Sequence, residues 1–116
     1  MREEATAILL RIFIGENDKF HGKPLYQYLS EYLRKHHYSG VTVLRGLLGF
    51  GHASKLHTAN LLSLSSDLPI ILEIVDSEKK IEDFKNFLDE QNIIESGLIT
   101  EEKVHIIRYG NNETKK

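Results

Sequence analysis

The sequence contains no cysteine. Disulfides, thiolate metal sites and cysteine nucleophiles are therefore excluded together, since each needs the sulfur. It also lacks a strong charge bias. The 15 basic and 17 acidic residues leave a net charge of −2, so the basic excess of a dedicated nucleic-acid binder is missing, and no nucleic-acid partner is expected. Long apolar runs are absent as well. The N-terminal stretch MREEATAILLRIFIGENDK has an apolar segment too short for a membrane span, followed at once by charges. It carries no signal-peptide cleavage pattern. The expectation is a soluble, intracellular protein of the cytoplasm.

A chain of 116 residues predicts one domain, over 1–110, with a polar tail at 111–116 that frays. So short a chain can build a core, but it buries a smaller share of its surface than a larger domain does. A second subunit would help it noticeably.

The hydrophobic pattern predicts a strand over Thr6–Gly15. Ile8, Leu10, Ile12 and Ile14 fall on one face, and Ala7, Leu9, Arg11 and Phe13 on the other. Glu16–Gly22 is polar and turn-like, and its acidic group Glu16, Asp18 is better suited to tying that turn than to holding a cation. Pro24 suits the first turn of a helix, where its missing N–H costs little. Leu25, Leu29, Tyr32, Leu33 and His36 follow helical spacing, with Gly40 as the stop and His36-His37 near the last carbonyls. Val41–Arg45 and Leu68–Val75 are the next strands. Asp76 or Ser77 caps a second helix whose apolar face is Ile81, Phe84, Phe87 and Leu88. Gly97 opens a turn, and Val104–Tyr109 is the last strand. The order strand, helix, strand, strand, helix, strand is the split βαβ arrangement of a ferredoxin-like α+β domain, a four-stranded antiparallel sheet with two helices on one face.

Two helices cannot cover both faces of the sheet. The second face, with Ala7, Leu9, Phe13, Ile71 and Val75, carries about one charge per strand, Arg11 and Glu73. A face left in water should alternate to polar residues, so a partner subunit is expected to cover it.

Function should reside in the stretch Gly40–Asp76. About twenty residues rich in Gly, Ser, Thr, His and Lys connect two strands there, and a connection that long in so small a domain is usually functional or disordered. Gly46, Gly49 and Gly51 can serve as hinges, or they can let backbone N–H groups approach an anion. Arg45, Lys55 and Lys103 can add positive charge, and Phe50 can stack on a base or fill an intersubunit groove. His52 and His57 show no metal-ligand spacing with the other histidines. His57 can touch a ligand or hold the loop. Neither a Walker loop nor a dinucleotide fingerprint occurs. No nucleophile elbow occurs either, and no catalytic residue is expected.

Ile14–Tyr26 (IGENDKFHGKPLY), Gly40–Gly51 (GVTVLRGLLGFG), His57-Thr58, Leu64–Asp76 (LSSDLPIILEIVD) and Gly97-Leu98 resemble an uncharacterised PII-like family, catalogued as domain of unknown function 190. The resemblance covers almost the whole chain. It implies the PII fold, a ferredoxin-like homotrimer that binds adenine nucleotides between subunits and signals through a long loop between its second and third strands, here 46–66. Gly49-Phe50-Gly51 resembles the glycines at the base of that loop, and Gly97-Leu98-Ile99 with Lys103 resembles the segment where a lysine meets phosphates. The site the resemblance implies is Arg45, Gly46, Gly49, Phe50, Gly51, Lys55, Gly97 and Lys103, with His52 and His57 as further contacts. Thr100-Glu101-Glu102 replaces a glycine-rich turn, which disfavours a triphosphate and leaves AMP plausible. The implied function is regulation, with no required cofactor and an adenine nucleotide as effector. The target would be an unidentified protein such as a membrane transporter or channel. The alternatives are a metal-binding trimer like the copper-tolerance proteins, with His52 and His57 as ligands, and a ligand-free scaffold for a membrane transporter.

Overall fold

The computed structural model describes residues 1–49, 57–58 and 67–110. Its strands and helices run β1 (Arg2–Gly15), β2 (Lys19–Phe20), β3 (Lys23–Pro24), α1 (Leu25–Lys35), β4 (Thr42–Arg45), β5 (Leu48–Gly49), β6 (His57–Thr58), β7 (Pro69–Asp76), α2 (Glu78–Glu90) and β8 (Leu98–Tyr109). The main sheet has the order β4-β7-β1-β8, and every pairing in it is antiparallel. This is the ferredoxin-like α+β topology.

Alternation builds the core. Ile8, Leu10, Ile12 and Ile14 of β1 and Ile70, Leu72 and Ile74 of β7 are buried. Leu25, Leu29 and Leu33 of α1 recur every fourth residue and meet them, as do Ile81, Phe84 and Leu88 of α2. Both helices therefore lie on the same sheet face. Ser77 caps α2, its hydroxyl accepting from the Lys80 N–H at 3.3 Å; Glu78 in the first turn suits the positive end of the helix dipole.

Two expected boundaries move. Helix α1 ends at Lys35, not at Gly40, because His37 takes a left-handed φ of 64° and breaks the repeat. Beyond it the Lys80 ammonium, rather than either histidine, takes the exposed carbonyls of His36 and His37, at 3.2 and 2.7 Å. The last strand begins at Leu98 rather than Val104, so Thr100-Glu101-Glu102 is strand and not turn. Strand β8 lies at the sheet's edge, where charged residues suit an unpaired backbone row. Glu101 there also anchors α2, accepting from Lys85 Nζ at 2.9 Å.

Directly paired residues share a face, so the register fixes what the helix-free face presents. One row runs Leu44–Ile71–Phe13–Leu98 across all four strands. The next is polar, Thr42–Glu73–Arg11–Thr100, with Arg11 Nε donating to Glu73 Oε2 at 2.9 Å. The third returns to Val75 and Leu9, with Glu102 at the edge. The two charges expected on this face thus neutralise each other, between apolar rows.

Candidate functional site

The end of the sheet near Gly15 forms the base of the long connection. Asp18 Oδ2 accepts the Gly15 N–H at 2.9 Å, and Asp67 Oδ1 accepts that of Asn17, also at 2.9 Å. The acidic turn is thus tied by its own Asp18 and, across the sheet end, by Asp67. Among the described residues no group of three or more His, Cys, Asp or Glu could hold a metal ion. Arg45 leaves β4 and pairs with Glu16, Nη2 to Oε1 at 3.1 Å. The Gly46 N–H donates to the Pro69 carbonyl at 2.8 Å. The chain then forms a small ribbon in which Leu48 pairs with Thr58 and Gly49 with His57. Leu47 and Leu48 stand exposed at the root of this ribbon.

Packing accounts for two of the expected site glycines. A Cβ on Gly49 would meet Pro69 Cγ at 2.8 Å, inside any normal contact. A Cβ on Gly97 would meet the Phe13 carbonyl oxygen at 2.9 Å and the Ile94 and Ile14 methyls at 3.1 and 3.2 Å. Both positions need glycine to close the structure, whatever they contribute to a ligand. Phe50, Gly51, His52 and Lys55 lie outside the described residues.

The register separates the remaining candidates. Arg45 lies opposite Ile70 and Ile70 opposite Ile14, while Lys103 lies opposite Ile8. Three strand spacings across and six residues along put Arg45 and Lys103 about 25 Å apart. Within one chain they cannot grip the same phosphate group.

The opposite end of the sheet holds a feature that the motifs did not suggest. A cavity of about 910 Å³ opens between the start of β1, the end of β8 and the α1–β4 connection. Its lining includes Arg34, His37, Tyr38, Arg108 and Tyr109, with one carboxylate, Glu3, opposite Arg108 in the register, so that the two arginines outnumber it. Neither arginine forms an ion pair with a described residue. The volume suits a small-molecule ligand, and the cations and aromatic rings suit an anion that carries a ring. A sequence signal existed in the basic run Arg34–His37 and in Arg108-Tyr109-Gly110, but these segments meet only after the sheet forms. Tyr38, burial being the first cause, has its pKa pushed up to about 12. It stays a neutral donor, giving its hydroxyl proton to the Lys80 carbonyl at 2.9 Å.

Comparison with solved structures places this fold among PII-like proteins. CPII of Thiomonas intermedia K12, bound to ADP and bicarbonate, matches with a TM-score of 0.65 at 14% identity, over 90% of this chain and 91% of that one. A protein of Thermus thermophilus described as PII-like and signalling matches with a TM-score of 0.64 at 18% identity, over 90% and 92%. The chain belongs to the DUF190 family (uncharacterised ACR), whose model matches residues 7–106. A UPF0166 protein of Aquifex aeolicus is 42% identical over 99 residues, covering 85% of this chain and 91% of the relative. UPF0166 protein MJ1524 of Methanocaldococcus jannaschii is 36% identical over 75 residues, 65% and 68% of the two chains.

Proposed function

We propose that this chain is a non-enzymatic regulator that binds an adenine nucleotide between copies of itself and reports the bound state through the 46–66 connection. The observation that carries this reading is the cationic, aromatic-lined cavity of about 910 Å³, set on a fold shared with a protein solved with ADP and bicarbonate. Arg34 and Arg108 would face the phosphates, and Tyr38 or Tyr109 the base. Arg45, Gly46, Gly49, Phe50, Gly51, Lys55, Gly97 and Lys103, with His52 and His57, would complete the site from a neighbouring copy. The loop base and the cavity lie at opposite ends of one sheet. A head-to-tail ring, in which one copy's end meets the next copy's opposite end, brings them together.

The helix-free sheet face supports such a ring, since its apolar rows have no covering element among the described residues. A homotrimer is the assembly we propose. Nucleotide binding would favour one arrangement of the loop over another, which requires tighter binding to that state. The loop would then engage or release a target protein, for which a membrane transporter or channel in contact with the cytoplasm is our candidate.

The test is ADP affinity in two variants. Arg108→Gln removes a cavity cation and Lys103→Ala removes one from the middle of β8. A charge-assisted contact to phosphate is worth about tenfold in affinity. A loss of that size in both variants supports a site shared between copies. Wild-type affinity in both contradicts the proposed site.

A further inference from the structure

The cavity's wall between α1 and β4 is held in place by the end of β7 and the first turn of α2. Five contacts join them. The Ser39 N–H donates to Asp76 Oδ2 at 2.8 Å, while the other oxygen of this buried carboxylate accepts from the Ser77 N–H, also at 2.8 Å. Lys80 Nζ donates to the carbonyls of His36 and His37. The same ammonium lies over the Tyr38 ring, 4.2 Å from its centroid. The Tyr38 hydroxyl donates back to the Lys80 carbonyl. His37, Tyr38 and Ser39 all line the cavity, whereas Lys80 and Asp76 do not.

We infer that Lys80 and Asp76 are positioning residues for the cavity's ligand. They act through the 36–39 wall, so that occupancy of the cavity and closure of the Lys80 latch on that wall are coupled. Backbone bonds to α1, from the Tyr38 N–H to the Leu33 carbonyl at 3.0 Å and from the His37 N–H to the Arg34 carbonyl at 3.2 Å, and the Tyr38 ring against Phe84 also order this wall. It nevertheless contains a left-handed residue, His37, and runs through Ser39 into Gly40, both exposed. Lys80 fixes three consecutive residues of it at once, two by their carbonyls and one by its ring. A charge-assisted hydrogen bond holds such a geometry more firmly than a neutral one. Lys80 is half-buried as a residue, which limits the directions its ammonium can take. Coupling is reciprocal: a ligand that prefers the ordered wall is held more tightly when the latch is closed, and it closes the latch when it binds.

This inference rests on the cavity being the effector site, and the experiment separates the two. ADP is titrated calorimetrically into the wild-type oligomer and into Lys80→Met, Lys80→Arg and Ser77→Ala. Urea midpoints and amide exchange at residues 38–41 are measured on the same samples. Ser77→Ala is the control, because it removes the α2 cap without touching the wall. The expected result is a loss of ADP affinity in Lys80→Met of roughly fivefold to tenfold, largely restored in Lys80→Arg. Ser77→Ala should lower the urea midpoint and leave affinity unchanged. Equal affinity in Lys80→Met and wild type, or an affinity loss in Ser77→Ala matching that in Lys80→Met, would overturn the positioning role. If the wild-type oligomer binds no ADP, the effector reading fails instead. The exchange data then decide the latch: faster exchange confined to residues 38–41 in Lys80→Met sustains it, and unchanged exchange there overturns it.

Discussion

Replacing Arg11 by methionine should leave the single chain almost unaffected and weaken the assembly severely. Arg11 and Glu73 face each other on the helix-free side of the sheet, with 37% and 33% of their side chains exposed. Partly solvated ion pairs of this kind contribute little to the stability of a single chain. In the proposed ring this face is covered and the pair loses its water. Removing one partner then strands Glu73 between the apolar rows of Phe13 and Leu9. Breaking a buried pair in this way lowers subunit affinity by more than about a hundredfold for each interface. Sedimentation equilibrium on Arg11→Met and on Arg11→Met/Glu73→Met would measure it. The single variant should dissociate at concentrations where wild type stays assembled. The double variant should recover most of the assembly, because a matched apolar pair leaves no charge uncompensated. If Arg11→Met assembles as tightly as wild type, this face is not the one that copies share.

Gly97→Ala should cost about 1–3 kcal/mol in urea denaturation, because the new methyl meets a backbone oxygen of β1 that cannot turn away; a cost below about 0.5 kcal/mol would show that the turn yields. Tyr38 should titrate well above the ordinary tyrosine range in tyrosinate absorbance, since its folded pKa of about 12 stands above its ordinary value of 10.0. The sign follows: the unfolded phenol releases its proton first, so its contribution makes stability fall as pH rises from 10 to 12. Tyr38→Phe should remove that part of the slope, and an unchanged slope would mean that the phenol is not held neutral. The Glu4 carboxyl is lowered by hydrogen bonds from Arg2 first and His105 second. The stability it adds is present above its unfolded pKa and is lost as pH falls through the folded value, so Glu4→Gln should flatten the acid limb of a stability–pH curve.

Periodicity made the scaffold legible. The fourfold spacing of Leu25, Leu29 and Leu33 and the alternation from Ile8 to Ile14 gave both faces of the core. The strand order followed from element order and the antiparallel rule. Charged residues on an edge strand obscured the start of β8, because Thr100-Glu101-Glu102-Lys103 reads locally as a turn and becomes strand by pairing with β1. Helix α1 ended early because a histidine, not a glycine, took the left-handed position. The glycines suggested a phosphate cradle, yet Gly49 and Gly97 are also required by contact with Pro69 and with the Phe13 carbonyl, which no local pattern announces. The cavity was the least legible feature. It draws on β1, α1, the α1–β4 connection and β8, which are far apart in sequence.

Calorimetric titration of the size-verified oligomer with AMP, ADP and ATP, each with and without magnesium, tests the nucleotide sensor most directly. Saturable binding at one site per subunit, lost in Arg108→Gln, is the predicted result. Absence of heat with all three nucleotides at several temperatures would contradict it and leave the likeness to PII-like proteins as one of fold alone.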